Sequence, residues 1–221
     1  MARDTQEAAP KGRRTGWKQN PEAVRENILR VAREVFSEAG FSGARVDEIA
    51  ARTETSKRML YYYFGDKEGL YRHALEASYR EVREGEHELD LVGLSPDDAL
   101  RKLVEFTFDH HRRNPEFIRL VMIENIHNGA SLAQSKVIKD MNKTAIAGLE
   151  DILARGRESG VFRSDIKALA LHWQISALCF YNVSNRITFS ALFSAAEMFE
   201  EEGQIERRDW VVDAVLRKVL A

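Results

Sequence analysis

At 221 residues the chain is long enough for one large or two small domains with a proper core. Its 44% hydrophobic and 31% charged content exclude wholesale disorder. One cysteine, Cys179, excludes an intramolecular disulfide and a cysteine-based zinc site, and a net charge of −2 does not by itself point to nucleic acid. Only 13 Gly and 4 Pro interrupt regular structure, and β-branched runs are scarce, so the expected fold class is all-α. Charge is distributed unevenly. Residues 1–72 hold 14 Lys+Arg against 11 Asp+Glu, a balance of +3, and the remainder holds 19 against 24, a balance of −5. That polarity suits an N-terminal nucleic-acid-binding part on an acidic body.

Residues 1–20 are polar, lack an apolar period and carry Lys11, Arg13, Arg14 and Lys18. They are expected to form a flexible basic arm, either a solvated tail or an arm that lies along phosphates or in a minor groove. With no apolar stretch at the start, no secretory signal is expected, and a cytoplasmic location fits.

Pro21 is well placed to open a helix, and Val24, Ile28, Val31, Ala32, Val35 and Ala39 give it one apolar stripe ending at Gly40. A short helix follows over Val46–Thr53, with Val46, Ile49 and Ala50 inward. After a tight turn, Thr55 or Ser56 can cap a second short helix. Met59, Leu60 and Phe64 are expected on its inner side, and Lys57, Arg58, Tyr61 and Tyr62 on its outer side. Cations and phenols on one short helix suit a phosphate backbone and the base edges of a major groove. Asp66 can cap the next helix, whose free N–H groups beside Lys67 would favour a phosphate.

From Lys67 to about Leu89 a linking helix joins this head to the body. Ser95 can cap a helix from Pro96 to about Arg113, with Leu100, Leu103, Val104, Phe106, Thr107 and His110 inward. A short, very apolar helix runs from Pro115 to about His127, and a longer one from Ser135 to about Glu158. Asp165 is expected to cap a helix reaching about Arg186. Residues Ala168 to Asn185 contain no Asp, Glu, Lys or Arg. A bilayer span is excluded by His172, Gln174, Ser176, Asn182, Ser184 and Asn185, which are too polar for lipid. Burial against the body and a second copy is the better account. Residues 187–202 have no clear pattern, and a last helix is expected over about Glu206–Leu220.

Two runs in the head resemble the helix-turn-helix signature of the TetR (tetracycline-repressor) family: Asp47-Glu48-Ile49-Ala50, and Tyr61-Tyr62-Tyr63-Phe64-Gly65-Asp66-Lys67-Glu68-Gly69-Leu70 downstream. The resemblance covers roughly Pro21 to Leu75. This chain departs from the family pattern at Arg45, where a Thr is common, and at Glu54, where a turn Gly is common. The resemblance implies a three-helix DNA-binding head over 21–66 and a helical ligand-binding and dimerisation bundle over 67–221. It implies DNA contacts from Arg45, Thr55, Lys57, Arg58, Tyr61, Tyr62 and Lys67. The implied partners are double-stranded operator DNA, a small-molecule inducer and a second copy joined through the last two long helices.

For the inducer, a mostly apolar lining with a few polar groups is expected from Phe106, His110 and Phe117, from Val121 and Asn125, and from Trp173, Ala177, Phe180 and Tyr181. No cofactor or metal is expected. His110, His111, Glu124 and His127 supply ligand atoms, but no helix carries a paired i, i+4 ligand set. The chain has no phosphate loop, no nucleophile elbow and no His-Glu-x-x-His run, so no catalytic residue can be named. Two other readings fit the same residues: a protein-interaction module using the Tyr-rich helix, and a DNA-binding activator without a ligand.

Overall fold

A computed structural model describes residues 20–221, and the arm expected over 1–20 lies outside them except for Asn20, which caps the first helix instead. Among the described residues the regular elements are helical. The head holds α1 (Pro21–Gly43), α2 (Val46–Arg52) and α3 (Lys57–Phe64), and α4 (Lys67–His87) leads out of it. The body continues with α5 (Pro96–Arg113), α6 (Pro115–Ile126), a short α7 (Ala130–Gln134), α8 (Lys136–Glu158), α9 (Ala168–Ser184), α10 (Arg186–Phe193) and α11 (Glu201–Val219).

Local chemistry explains most of the boundaries. Asn20, Ser56, Asp66, Ser95 and Ser135 each accept a bond from a first-turn backbone N–H of the helix they precede. Gly40 takes φ 70° and breaks the helical path of α1 near its end. The head core is built from Ile28, Val31, Phe36, Ile49, Leu60 and Leu70, all but closed to solvent. The same cluster takes in Leu120 of α6 and Ile138 of α8, so head and body share apolar contacts. A second cluster joins α5, α8, α9 and α11 through Leu100, Phe108, Leu153, Ile175, Val212 and Val215.

The structure corrects several expectations. Met59 is 38% exposed, because Leu60 and Phe64, one turn apart, define the buried face and Met59 falls beside it. On α5 the buried stripe is Leu100, Val104, Phe108 and His111, because α8, α9 and α11 cover that face. Asp165 caps no helix. Its carboxylate accepts from Arg163 Nε and Nη2 at 3.0 and 2.8 Å, and α9 begins after an extended Lys167. Residues 161–163 just before Asp165 bridge to the C-terminus, since Arg163 N donates to Val219 O and Ala221 N to Val161 O at 2.8 and 3.0 Å, and Ser164 and Asp165 form a turn. Residues 187–202 form most of α10 and one 3-10 turn (Ala196–Phe199), and α11 starts at Glu201 rather than near Glu206.

The turn between α2 and α3 carries a measurable strain. Glu54 sits at φ 50°, in the left-handed region that a side chain disfavours by about 1–2 kcal/mol. Glu54→Gly is therefore expected to raise the thermal midpoint, by about 1 kcal/mol of stability in a denaturation series. A lowered midpoint would mean that the Glu54 side chain makes a contact worth more than the strain.

Candidate DNA-binding face and ligand cavity

On α3, Lys57, Arg58, Tyr61 and Tyr62 occupy successive exposed positions of one face, with Tyr61 and Tyr62 39% and 78% exposed. Leu60 and Phe64 anchor the opposite side in the core. Tyr63 is half-buried and meets Tyr62 edge-on, with ring centroids 5.4 Å apart. Lys57 Nζ lies 3.2 Å from the Asp47 carboxylate, an exposed ion pair across α2 and α3. Arg45 is exposed immediately before α2, and Thr55 precedes the Ser56 cap of α3. Lys67 begins α4, where its ammonium lies 5.0 Å from the Phe41 ring centre and donates to Ser42 O at 3.4 Å. Gly69 lets that turn close: a Cβ there would stand 2.0 Å from the Phe64 carbonyl oxygen.

In the body, residues of α4, α5, α6, α8 and α9 line a half-open cavity of about 380 Å³. Six of the nine residues expected from sequence line it: Phe117, Val121, Asn125, Trp173, Ala177 and Phe180. The other three do not. Phe106 leans on α4 at Gly85, where an added Cβ would come 2.5 Å from the ring. His110 stacks behind the wall, with its ring 5.6 Å from Phe106 and 6.0 Å from Phe117. Tyr181 is on the outer face of α9, beside a second hollow between α9, α10 and α11.

The lining also holds a polar group that sequence patterning does not single out. Arg83 and Glu86 of α4 form an ion pair there, with side chains 17% and 18% exposed. Burial pushes the Glu86 carboxyl above the usual range against the opposing pull of Arg83. His111 is held down to about 3, first by burial and then by the charges of His110, Arg83 and His172. Burial, with Arg83 second, also lowers His172. Asn142 accepts from Arg83 Nη2 at 3.4 Å. The i, i+3 pair Arg83–Glu86 reads in sequence as an ordinary surface pair. Only the Tyr79–Val82–Arg83–Glu86 spacing on α4 hinted that this face is covered.

Two helices connect this cavity to the head. Phe117, Val121 and Asn125 line it from α6, while Leu120 and Ile123 of the same helix pack into the head core. Likewise α4 gives Tyr79, Val82, Arg83 and Glu86 to the cavity and Leu70, Tyr71, Ala74 and Leu75 to the head core. The two helices meet where the buried Tyr71 hydroxyl stands near the Glu124 carboxylate, and burial with that charge holds the phenol above its usual pKa. Glu124 accepts from Ser131 N and Leu132 N, at 3.1 Å each, bracing α6 against α7. Among the described residues no group of three or more His, Cys, Asp and Glu side chains is placed to hold a metal ion.

A short capped helix with a cationic, phenolic face, carried on a helical body with an internal cavity, defines a helix-turn-helix regulator with a ligand-sized chamber. Comparison with known proteins agrees. Residues 28–74 match the model of bacterial regulatory proteins of the tetR family, and residues 96–215 match the tetracyclin repressor-like C-terminal domain. The HTH-type transcriptional repressor NicS of Pseudomonas putida is 35% identical over 206 residues, covering 93% of this chain and 97% of that protein. The HTH-type transcriptional repressor SCO4008 of Streptomyces coelicolor is 30% identical over 163 residues, covering 72% and 78%. Among solved structures, the transcriptional regulator SCO4942 of Streptomyces coelicolor superposes with a TM-score of 0.66 at 26% identity, covering 89% of this chain and 98% of that one. The chain belongs to the TetR family of bacterial transcriptional regulators. Among the described residues no helix is long and apolar enough to cross a membrane.

Proposed function

We propose that the protein is a homodimeric repressor that binds a two-fold operator through α3 and leaves it when a small molecule fills the cavity between α4, α5, α6, α8 and α9. The face of α3 carries this reading. Lys57, Arg58 and Tyr62 are the groove readers, and Arg45, Thr55, Tyr61 and Lys67 hold phosphates around them. The names of NicS and SCO4008 as repressors favour negative control. Two heads acting together require a pair, and α9 with α11 supply the surface for it. Leu169, Leu178 and Tyr181 of α9 and Trp210 of α11 are large apolar side chains left exposed outside the cavity. Such a protein acts in the cytoplasm, where the chromosome is.

Release follows from the two helices shared by cavity and head. A ligand that shifts Phe117 and Val121 moves Leu120 and Ile123 against α1, and one that moves the far end of α4 tilts the head at its near end. The six cavity residues read from sequence, joined by Arg83, Glu86, His111, Asn142 and His172, form the ligand site. By linkage the ligand must weaken operator binding by the same factor by which operator weakens ligand binding. Fluorescence anisotropy with a fragment from upstream of the gene, titrated with and without inducer, and calorimetry with and without operator, are expected to give equal factors. Unequal equilibrium factors would overturn the two-state scheme, and no retention of any upstream fragment would overturn DNA binding itself.

A further inference from the structure

The cavity does not have the chemistry of a plain hydrophobic pouch. Its lining combines the apolar Phe117, Val121 and Phe180 with the polar Arg83, Glu86, His111, Asn142 and His172, and Trp173 joins it while 73% exposed. The cation among them is the guanidinium of Arg83. Arginine has five N–H donors in a rigid fork that suits a carboxylate. Here Nη1 donates to Glu86 and Nη2 to Asn142, the second bond being long at 3.4 Å. The Nε donor is buried without a partner. Around it, the His111 Nδ1 atom is also buried without a partner. The positive field of Arg83 reaches His110, His111 and His172, each of which it disfavours as a cation. Glu86 is the one carboxylate in the lining, and its charged form is poorly solvated where it stands. A guanidinium that is 17% exposed in the lining, neutral imidazoles beside it and a reluctant internal counter-ion form a receptor for a negative group.

We propose that the cavity is the binding site for a small planar aromatic anion, a carboxylate on one or two rings, with Arg83 as its counter-ion and Asn142 and His111 completing its hydrogen bonds. A volume of about 380 Å³ accommodates one or two rings, since ligand pockets span roughly 300–1,000 Å³. Phe117 and Phe180 face the rings, and the carboxylate takes the guanidinium edge. Glu86 then has two courses: it swings away from Arg83, or it takes up a proton as the second carboxylate arrives. In both, Glu86 opposes the ligand, so its removal strengthens anion binding. A cationic ligand would behave oppositely, using Glu86 and being repelled by Arg83. This inference rests on the reading of the chamber as the inducer site.

The test is calorimetry on the full chain with matched probes that differ only in head group: benzoate and 2-naphthoate, their primary amides, and the corresponding methylamines. The carboxylates are expected to bind about ten- to a hundredfold tighter than their amides, as hydrogen bonds to a charged group imply. Arg83→Gln is expected to abolish that difference, and Glu86→Gln to tighten the carboxylates and weaken the methylamines. Because Arg83→Gln leaves Glu86 buried without its cation, the double variant Arg83→Gln/Glu86→Gln is measured alongside, with thermal midpoints for all three. The double variant is expected to fold and to bind acid and amide equally. Amides or methylamines binding as tightly as the acids, or no carboxylate binding up to roughly 1 mM, would overturn the proposal. So would a carboxylate preference that survives in the double variant. Operator retention by the same preparations separates the two levels. Retention with no carboxylate binding sinks the anion assignment alone, whereas carboxylate binding by a protein that retains no operator sinks the repressor reading alone.

Discussion

Replacing Lys57 and Arg58 together by alanine is expected to remove operator binding while leaving the thermal midpoint almost unchanged. Both side chains are exposed on α3, opposite the Leu60–Phe64 anchor. Folding asks little of them. The Lys57–Asp47 pair is 47% and 67% exposed, and such pairs contribute about 0–1 kcal/mol. In a dimer on a two-fold operator the change removes four side chains from the interface. At about 1 kcal/mol for each contact, the loss is at least ~4 kcal/mol, roughly a thousandfold in affinity. Asp47→Ala is the informative companion, since it frees the Lys57 ammonium and removes a negative charge from the same face. It is expected to hold operator at least as tightly as the parent chain. Undiminished retention by the double alanine variant would show that α3 is not the reading helix.

A second large effect is expected from Tyr181→Glu combined with Trp210→Glu. The two side chains are 54% and 59% exposed, and both line the hollow between α9, α10 and α11. A monomer has no use for two large aromatics there. In the proposed pair they would be buried, and two new carboxylates on each copy would then stand in apolar surroundings without partners, at several kcal/mol per ion. Sedimentation at micromolar concentration should give single copies, with the helix content of the parent chain. Operator affinity should fall at the same time, because one head reads only one half-site. A variant that remains paired would move the interface elsewhere. A single copy that retains full operator affinity would show that pairing is unnecessary for DNA binding.

The class of fold and the exposed cationic, aromatic face of α3 were legible because both are written in local terms. Caps at Ser56, Asp66 and Ser95 need only a side-chain oxygen and a backbone N–H three residues on. The α3 face needs only the 3.6-residue period, which places Lys57, Arg58, Tyr61 and Tyr62 together whatever the rest of the chain does. The same logic failed where a distant segment decided the outcome. Asp165 has the chemistry of a cap, but the C-terminal residues bridge to 161–163 just before it, a turn follows, and Arg163 takes its carboxylate. Phe106 and His110 have the polarity of lining residues. The missing side chain at Gly85, on another helix, drew Phe106 away, and Phe117 with Phe106 enclosed His110 behind the wall.

The sequence alone determined that this is a helical protein with a cationic, aromatic helix set in a head of three, since turn chemistry and periodicity act over a few residues. The tertiary structure alone decided what lies inside the body. Arg83 and Glu86, one turn apart, look like any solvated pair until α5, α8 and α9 close over them. Burial is a property of what surrounds a side chain, and those surroundings come from residues up to about a hundred positions away. That covering turns a solvated ion pair into a largely desolvated one, with the Arg83 and Glu86 side chains 17% and 18% exposed.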